Sequence, residues 1–261
     1  MKKVILTADD LGRSHERNEA IDYLFKKGLI KSAGLLVTGK YLQDAVNYIN
    51  SGGYVEQVHL HFNVSGNING EDSLDKPLTE IMARDKTFCS DGLFLPYRRI
   101  PNNLRDIVKW RIVYKELCAQ YDKFVLVTKG KGDTLHVDFH LWYNLTWPVA
   151  IALNLFTWTH KIKSVRYVNA HQECSRRRRL FRFLLWNPFV KFFRTSNIDG
   201  FLNHPEWFEK DQIFELYCHP DYEGGLLMDN TISYFGHEKK TMMKHLELLN
   251  RYELEYITWY D

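Results

Sequence analysis

The chain has 261 residues, 45% of them hydrophobic and 15% aromatic, which is typical of a globular protein and excludes a disordered one. Its net charge of +3 is too small to favour nucleic acid as a partner. No stretch reaches the roughly 18 apolar residues of a membrane-spanning helix, and no signal peptide is recognisable. The four cysteines lack CxxC spacing, so neither a thiolate zinc site nor a dense disulfide framework is expected.

The first 66 residues alternate between strand and helix patterns. Strand, helix, strand, helix and strand are predicted over residues 2–10, 14–29, 31–39, 41–53 and 54–66. Ser14 is the predicted N-cap of the first helix, and glycine closes the second. This alternation is typical of a parallel sheet with crossover helices.

The remaining chain continues the alternation. Helices are predicted over residues 104–124, 147–161 and 237–253, and strands over 134–142, 164–169, 213–220 and 254–261. About seven strands interleaved with helices predict a (β/α) barrel, and without a linker the whole chain is predicted to be a single α/β domain. Residues 67–103 are predicted to be a long, turn-rich loop, and loops of this length commonly have a function.

Polar side chains gather at the predicted strand ends. Those on the first, third and last-but-one strands are Asp9, Asp10, His59, His61 and His219. In the stretch HVDFH, residues His136, Asp138 and His140 are spaced by two and therefore share one face of a strand. Because the carboxyl ends of barrel strands converge on one rim, these groups are expected to meet there.

One aspartate and two histidines suit a divalent metal that keeps open positions for water and substrate. A second carboxylate beside the ligand could act as a base, so the adjacent Asp9 and Asp10 could divide these roles. The alternative is structural, since an Asp-Asp pair after a strand is commonly a turn and a strand histidine commonly belongs to the core. The residue pattern alone leaves both interpretations open.

Six motifs run through nearly the whole chain. They are TADDLGRSHERNEAI, IKSAGLLVTGKYLQDAV, VHLHFNVSG, LHVDFH, SVRY and FELYCHPDY. In this order they resemble the YdjC-like carbohydrate deacetylase family, which includes the chito-oligosaccharide deacetylases. The first, fourth and last motifs are the specific ones.

The resemblance implies a distorted (β/α) barrel similar to a TIM barrel. It also implies a metal-dependent hydrolase that removes an acetyl group from an acetylated sugar or oligosaccharide by cleaving a C–N amide bond. The implied cofactor is a divalent metal ion, zinc or magnesium, held by Asp10, His61 and His140. Asp9 would be the catalytic base, and His219 would assist the leaving group or the tetrahedral intermediate.

Three further residues are expected at the substrate: Arg166, Trp142 and Asn63. Arg166 would orient the sugar or a carboxylate of the site, although an ordinary ion pair is equally consistent. Stacking on a sugar ring is expected from the aromatic residues Trp142, Trp147, Phe94 and Tyr97, and core packing is the alternative for each of them.

The chain departs from the family pattern near the expected metal. Trp142 and Asn144 replace the usual histidines, and Phe139 replaces the usual serine. His59 stands at a glycine position and is interpreted as structural rather than as a fourth ligand. These changes bear on substrate choice more than on metal binding. They raise the alternative of a non-catalytic or differently specific carbohydrate- or metal-binding protein of the same fold.

Residues 172–195 interleave basic and aromatic side chains and are predicted to be an insertion, with much of the charge in Arg176–Arg182. Such a segment suits peripheral contact with an anionic membrane or with a phosphate-bearing substrate. The alternative is an insertion packed on the barrel with a solvated charged face. The expected location is cytoplasmic, with membrane-peripheral contact left open. The expected partner is an acetylated saccharide, with no nucleic acid, and a homodimer is left open.

Overall fold

The computed structural model describes residues 2–66, 75–96, 104–140, 146–169, 187–231 and 240–259. The strands within these ranges are β1 (Lys2–Leu11), β2 (Ser32–Leu35), β3 (Val58–Phe62), β4 (Cys89–Ser90), β5 (Leu93–Phe94), β6 (Asp133–Phe139), β7 (Ser164–Asn169), β8 (Lys191–Asn197), β9 (Ile213–Cys218), β10 (Pro220–Glu223), β11 (Leu226–Asp229) and β12 (Leu254–Tyr256). The α-helices are α1 (His15–Lys26), α2 (Leu42–Gly52), α3 (Glu80–Ala83), α4 (Trp110–Val127), α5 (Trp147–Thr159), α6 (Ile198–Asn203) and α7 (Met242–Leu249).

Seven of the described strands close into a parallel barrel. Their order is β1, β2, β3, β6, β7, β8 and β9, and β9 pairs back with β1 over six residues from Lys3 to Ala8. Every pairing around this ring is parallel. The prediction of a single-domain, distorted (β/α) barrel is confirmed.

The seven barrel strands are not the seven that the sequence predicted. The sequence predicts an insertion over about residues 172–195 and no strand there, whereas Lys191–Asn197 form β8, a barrel strand between β7 and β9. Its buried end consists of Thr195, Ser196 and Asn197, so it lacks the apolar pattern by which a strand is recognised. The predicted last strand instead gives the three-residue β12, which pairs with the start of β1 outside the ring.

Alternating residues of the barrel strands separate an apolar outer layer from a polar interior. In β3, the side chains of Val58, Leu60 and Phe62 join the apolar core beneath the helices. The intervening His59 and His61 contact polar groups of other strands inside the barrel. The apolar face of the barrel is buried against the helices, and the opposite face places ionisable side chains in the barrel interior.

The turn after β1 depends on a glycine. Gly12 has a φ of 101°, and a Cβ there would lie 2.9 Å from the carbonyl oxygen of Leu36. Asn18 accepts a hydrogen bond from the Gly12 N–H at 2.7 Å, which ties the turn to α1. Ser14 caps α1 by accepting from the Arg17 N–H at 3.1 Å, as predicted.

In the part of the chain that the structure describes, no helix is both long enough and apolar enough to cross a membrane.

Candidate active site

Asp9 and Asp10 both enter the barrel interior at the end of β1. Consecutive residues of a regular strand point to opposite faces, so one of the two would ordinarily face the helices. Asp10 adopts a left-handed conformation with a φ of 67°, and the β1–β2 register shifts between Ala8 and Leu11. These two irregularities break the alternation, and Asp9 and Asp10 are only 3% and 0% exposed. Aspartate is among the few residue types that tolerate this backbone conformation.

The Asp10 carboxylate is shared between two histidines and two arginines. Its Oδ1 lies 2.8 Å from Nδ1 of His140 and 3.3 Å from Nε2 of His61. Its Oδ2 accepts hydrogen bonds from Arg17 at 2.6 Å and Arg13 at 2.8 Å. Burial opposes ionisation, but the charges of His140 and Arg13 outweigh it and hold the pKa of Asp10 well below its usual range. Asp10 is therefore an anion at neutral pH.

Asp10, His61 and His140 could hold a metal ion. One ligand atom from each residue lies within 4.8 Å of the other two, and all three side chains are buried. Nε2 of His61 makes no well-directed hydrogen bond with any described residue, although it is fully buried. An oxygen and two imidazole nitrogens are ligands that zinc accepts, so the residues fit the predicted cofactor.

Asp138 orients His61 from beneath. Its Oδ1 lies 2.5 Å from Nδ1 of His61, the nitrogen that faces away from Asp10. A carboxylate on the remote nitrogen is the usual way in which a metal-binding imidazole is fixed. Burial opposes protonation, but the carboxylates of Asp138 and Asp9 raise the pKa of His61 to about 10. A proton thus occupies this ring when no ion does.

Arg166 lies below Asp9 and joins three carboxylates. Its guanidinium donates to the two oxygens of Asp9 at 2.5 and 2.9 Å, and to Glu215 at 2.5 and 2.9 Å. It also lies 2.9 Å from Oδ2 of Asp138. Burial raises the pKa of Glu215 in spite of Arg166. Because Arg166 is only 3% exposed, its geometry fits the orientation of Asp9 better than contact with a sugar.

His219 approaches the two aspartates from the other side. Its Nε2 lies 4.0 Å from an oxygen of Asp9 and 3.9 Å from an oxygen of Asp10. Its Nδ1 lies 3.0 Å from the hydroxyl of Thr231. Burial lowers the pKa of His219, so its ring is neutral at pH 7. Three predicted histidines, His61 on β3 and His140 and His219 directly after β6 and β9, thereby surround the Asp9 and Asp10 carboxylates.

A buried network behind His219 was missed by sequence reasoning. Oδ1 of Asp229 accepts from the His219 backbone N–H at 3.0 Å, and its Oδ2 lies 2.9 Å from Nδ1 of His245. His245 Nε2 lies 3.2 Å from Asp199, which also pairs with Lys240 at 2.5 Å. These residues are distant in sequence and share no motif spacing, so no sequence signal links them.

Of the other predicted contact residues, Asn63, Phe94 and Trp147 lie within the described residues, and the rest lie outside them. Asn63 is fully buried and donates to Thr38 at 3.2 Å and to Asp75 at 2.9 Å, so it shapes the loop after β3. Phe94 is 3% exposed, and Trp147 packs partly buried against the apolar core. Trp142, Asn144, Tyr97 and Arg176–Arg182 lie outside the described residues.

The Phe139 substitution is accommodated in the core. Phe139 is 5% exposed, and its ring centroid lies 5.2 Å from that of Phe62. The side chain therefore faces the helices, whereas its neighbours Asp138 and His140 face the barrel interior. This departure from the family pattern changes the apolar layer rather than the lining of the site.

The model of a family described as YdjC-like protein matches residues 3–254. The chain belongs to this family. Membership in the YdjC-like family implies a carbohydrate-processing enzyme with a carbohydrate substrate, and the buried histidine and aspartate groups could bind a metal.

Among solved structures, this YdjC-like protein is similar to one from Enterococcus faecalis V583 whose description reads "putative cellobiose-phosphate cleavage protein". The two chains are 18% identical, with 85% of this chain and 82% of that chain covered and a TM-score of 0.64. At this identity the likeness shows the fold alone. No curated protein matches this YdjC-like chain.

Proposed function

We propose that this YdjC-like protein is a metal-dependent hydrolase that removes an acetyl group from an acetylated sugar or oligosaccharide. The observation that carries the proposal is the meeting of Asp10, His61 and His140 within 4.8 Å, with Asp9 and His219 beside them. These groups lie at the carboxyl end of a parallel barrel, where such folds carry out their chemistry.

The proposed cofactor is a divalent ion held by Asp10, His61 and His140. When bound, it acts as a Lewis acid that polarises the acetyl carbonyl and makes water more acidic. Two imidazole nitrogens favour zinc over magnesium, which prefers oxygen ligands and octahedral geometry.

Asp9 is the proposed base that takes a proton from the attacking water. The two hydrogen bonds from Arg166 fix the plane of its carboxylate beside Asp10. A carboxylate oxygen has two lone pairs, so each can accept one bond from Arg166 and still receive a proton. Arg166 is thus assigned as a positioning residue.

His219 is the proposed proton donor to the leaving nitrogen. The Thr231 hydroxyl donates to Asp229 at 2.5 Å, and it therefore accepts from the Nδ1–H of His219. This tautomer leaves Nε2 without a proton in the resting site, so Nε2 first receives the proton that Asp9 has taken from water, 4.0 Å away, and then releases it to the leaving nitrogen. An amine cannot leave as an anion near neutral pH, so protonation at this stage is required.

The test measures bound metal and released acetate together. The protein loaded with Zn²⁺ or Mg²⁺ is offered N- and O-acetylated mono- and disaccharides, with and without a phosphate group. Wild-type protein is expected to release acetate, whereas Asp10→Ala and His140→Ala should lose both metal and activity. The exposed His204 provides a matched control, His204→Gln, which should retain both. Activity that persists in a metal-free variant would contradict the mechanism.

The same panel tests the alternative of a non-catalytic or differently specific binding protein. The replacement of two family histidines by Trp142 and Asn144 is the observation that favours this alternative. It predicts saccharide binding without acetate release from any member of the panel.

A further inference from the structure

We propose that the barrel interior holds a second metal ion, bound by His59, His136 and Asp138 beneath the candidate active site. His59 and His136 have no part in the proposed reaction or in the first metal set, and Asp138 contributes to that set only by orienting His61. The inference goes beyond deacetylation, because a closed metal centre at this depth would stabilise the barrel whatever bond the site above it cleaves.

The three side chains converge on one point. One ligand atom from each lies within 4.8 Å of the other two, and all three residues are 0% exposed. Nε2 of His59 lies 3.1 Å from Oδ2 of Asp138. Ligand atoms bound to one zinc ion at about 2.0–2.1 Å in a tetrahedron lie roughly 3.3 Å apart, so this spacing needs little adjustment.

The converging atoms are also the ones that lack hydrogen bonds. Nε2 of His59, Nε2 of His136 and Oδ2 of Asp138 are fully buried and make no well-directed hydrogen bond with any described residue. Buried polar atoms are rarely left without such partners. Three of them on neighbouring side chains, aimed at the same point, indicate a common ligand.

The outer nitrogens of both rings are held by serines. Nδ1 of His136 lies 2.8 Å from the hydroxyl of Ser164, and Nδ1 of His59 lies 3.1 Å from that of Ser32. A hydrogen bond donated from Nδ1 fixes the ring and leaves the Nε2 lone pair free to bind an ion.

Trp259 closes this layer from below. Its ring stacks on His136 with centroids 3.4 Å apart, and its Nε1 donates to Ser32 at 2.9 Å. The C-terminal segment thus shields the cluster from solvent. Such enclosure leaves no path for substrate, and with three protein ligands the fourth position of a tetrahedral ion would be taken by an enclosed water.

The charge of the interior favours a cation at this point. Asp9, Asp138 and Glu215 surround the guanidinium of Arg166, and His61 contacts Asp138, so three buried carboxylates face at most two cationic side chains. Oδ2 of Asp138 also lies 2.9 Å from Arg166, an ion-pair contact that is not a well-directed hydrogen bond, and its two lone pairs allow it to keep this contact and to bind an ion. Its Oδ1 remains with His61, so Asp138 connects the two metal sites without being shared as a ligand.

The test counts metal ions per chain. Purified protein is equilibrated with Zn²⁺ or Co²⁺ alone, freed of excess ion, and analysed by elemental mass spectrometry and, for Co²⁺, by visible absorption. Wild-type protein should hold two ions per chain. Asp10→Asn should hold one, His136→Gln and His59→Gln should each hold one, and the control His204→Gln should hold two.

The outcome separates the second site from the first. One ion in the wild type and none in Asp10→Asn would overturn the second site, and His59 would then simply donate a hydrogen bond to Asp138. One ion that survives Asp10→Asn but not His136→Gln would support the second site and contradict the metal of the proposed function. If His136→Gln does not fold, the counts for the wild type and Asp10→Asn still decide the matter.

Discussion

Adjacent aspartates in a regular strand would point to opposite faces of the sheet, and the backbone conformation of Asp10 changes this. Asp9 and Asp10 can both reach the barrel interior because Asp10 takes a left-handed backbone conformation, with a φ of 67°. Gly12 then completes the turn with a φ of 101°. The sequence ADDLG indicated a tight turn with carboxylates, but the direction of each side chain depended on the register with β2.

Gly12→Ala should destabilise the protein by about 1–3 kcal/mol. The alanine would have to adopt a positive φ, and its Cβ would lie 2.9 Å from the Leu36 carbonyl oxygen. Gly28 is the matched control, since it has a φ of 67° but no atom within 4 Å of the added Cβ. Gly28→Ala should therefore cost less. The measurement is the free energy of unfolding in urea, and equal losses for the two variants would contradict the role of the close contact.

At the scale of elements, α6, β11 and α7 meet behind His219. Asp199 on α6 and Asp229 on β11 both contact His245 on α7, and Asp229 also holds the His219 backbone. The hairpin of β10 and β11 thus carries an orienting carboxylate for a residue at the end of β9. Because these elements are joined only by tertiary contacts, periodicity could predict α7 but not its partners.

This network predicts a dependence of stability on pH. Burial opposes protonation of His245, but hydrogen bonds with Asp199 and Asp229 raise its pKa to about 9. The stabilisation is therefore complete below the unfolded value of about 6.5 and is lost as the pH rises through about 9. The stability difference between wild type and His245→Gln should shrink by roughly 3 kcal/mol between pH 6 and pH 10.

Urea unfolding at a series of pH values measures this difference. A difference that stays constant from pH 6 to pH 10 would show that His245 is not held as a cation. The stability of the protein below pH 4 provides a second check. Burial opposes ionisation of Asp199, but its hydrogen bond with His245 lowers its pKa to about 2. Its contribution should be lost between about pH 4 and pH 2.

At the scale of the whole molecule, the basic segment of residues 172–195 is a feature that the proposed reaction does not use. Lys191 and Arg194, at its end, belong to β8, and Lys191 is exposed. Arg194 pairs with Asp211 at 3.1 Å and is partly engaged within the fold. Arg176–Arg182 lie outside the described residues. Peripheral contact with an anionic membrane therefore stays a prediction of the sequence.

Co-sedimentation with vesicles tests this prediction. Wild-type protein should bind vesicles that contain phosphatidylserine at low salt and dissociate as salt rises, because exposed charges are screened. Replacing Arg176, Arg177, Arg178 and Arg179 by Gln should weaken binding by about two to three powers of ten, at about 1 kcal/mol for each charge.

The control replaces four exposed lysines elsewhere by Gln. They are Lys115, Lys131, Lys163 and Lys210. Equal weakening of vesicle binding in both variants would indicate general electrostatic attraction. Absence of wild-type binding at low salt would contradict the membrane proposal and leave the phosphate-bearing substrate as the alternative.

The sequence by itself determined the barrel class, most of its elements and the groups that converge in it. Alternation of apolar and polar residues fixes which side of β3 and β6 faces the helices, and strand direction fixes the common rim. The tertiary structure decided the features that the alternation of apolar and polar residues cannot predict. β8 is a barrel strand although its buried residues are polar, and Arg166 joins Asp9 to Glu215. Contacts across the barrel join residues that are far apart in the sequence and meet only when the sheet closes, so local sequence patterns cannot predict them.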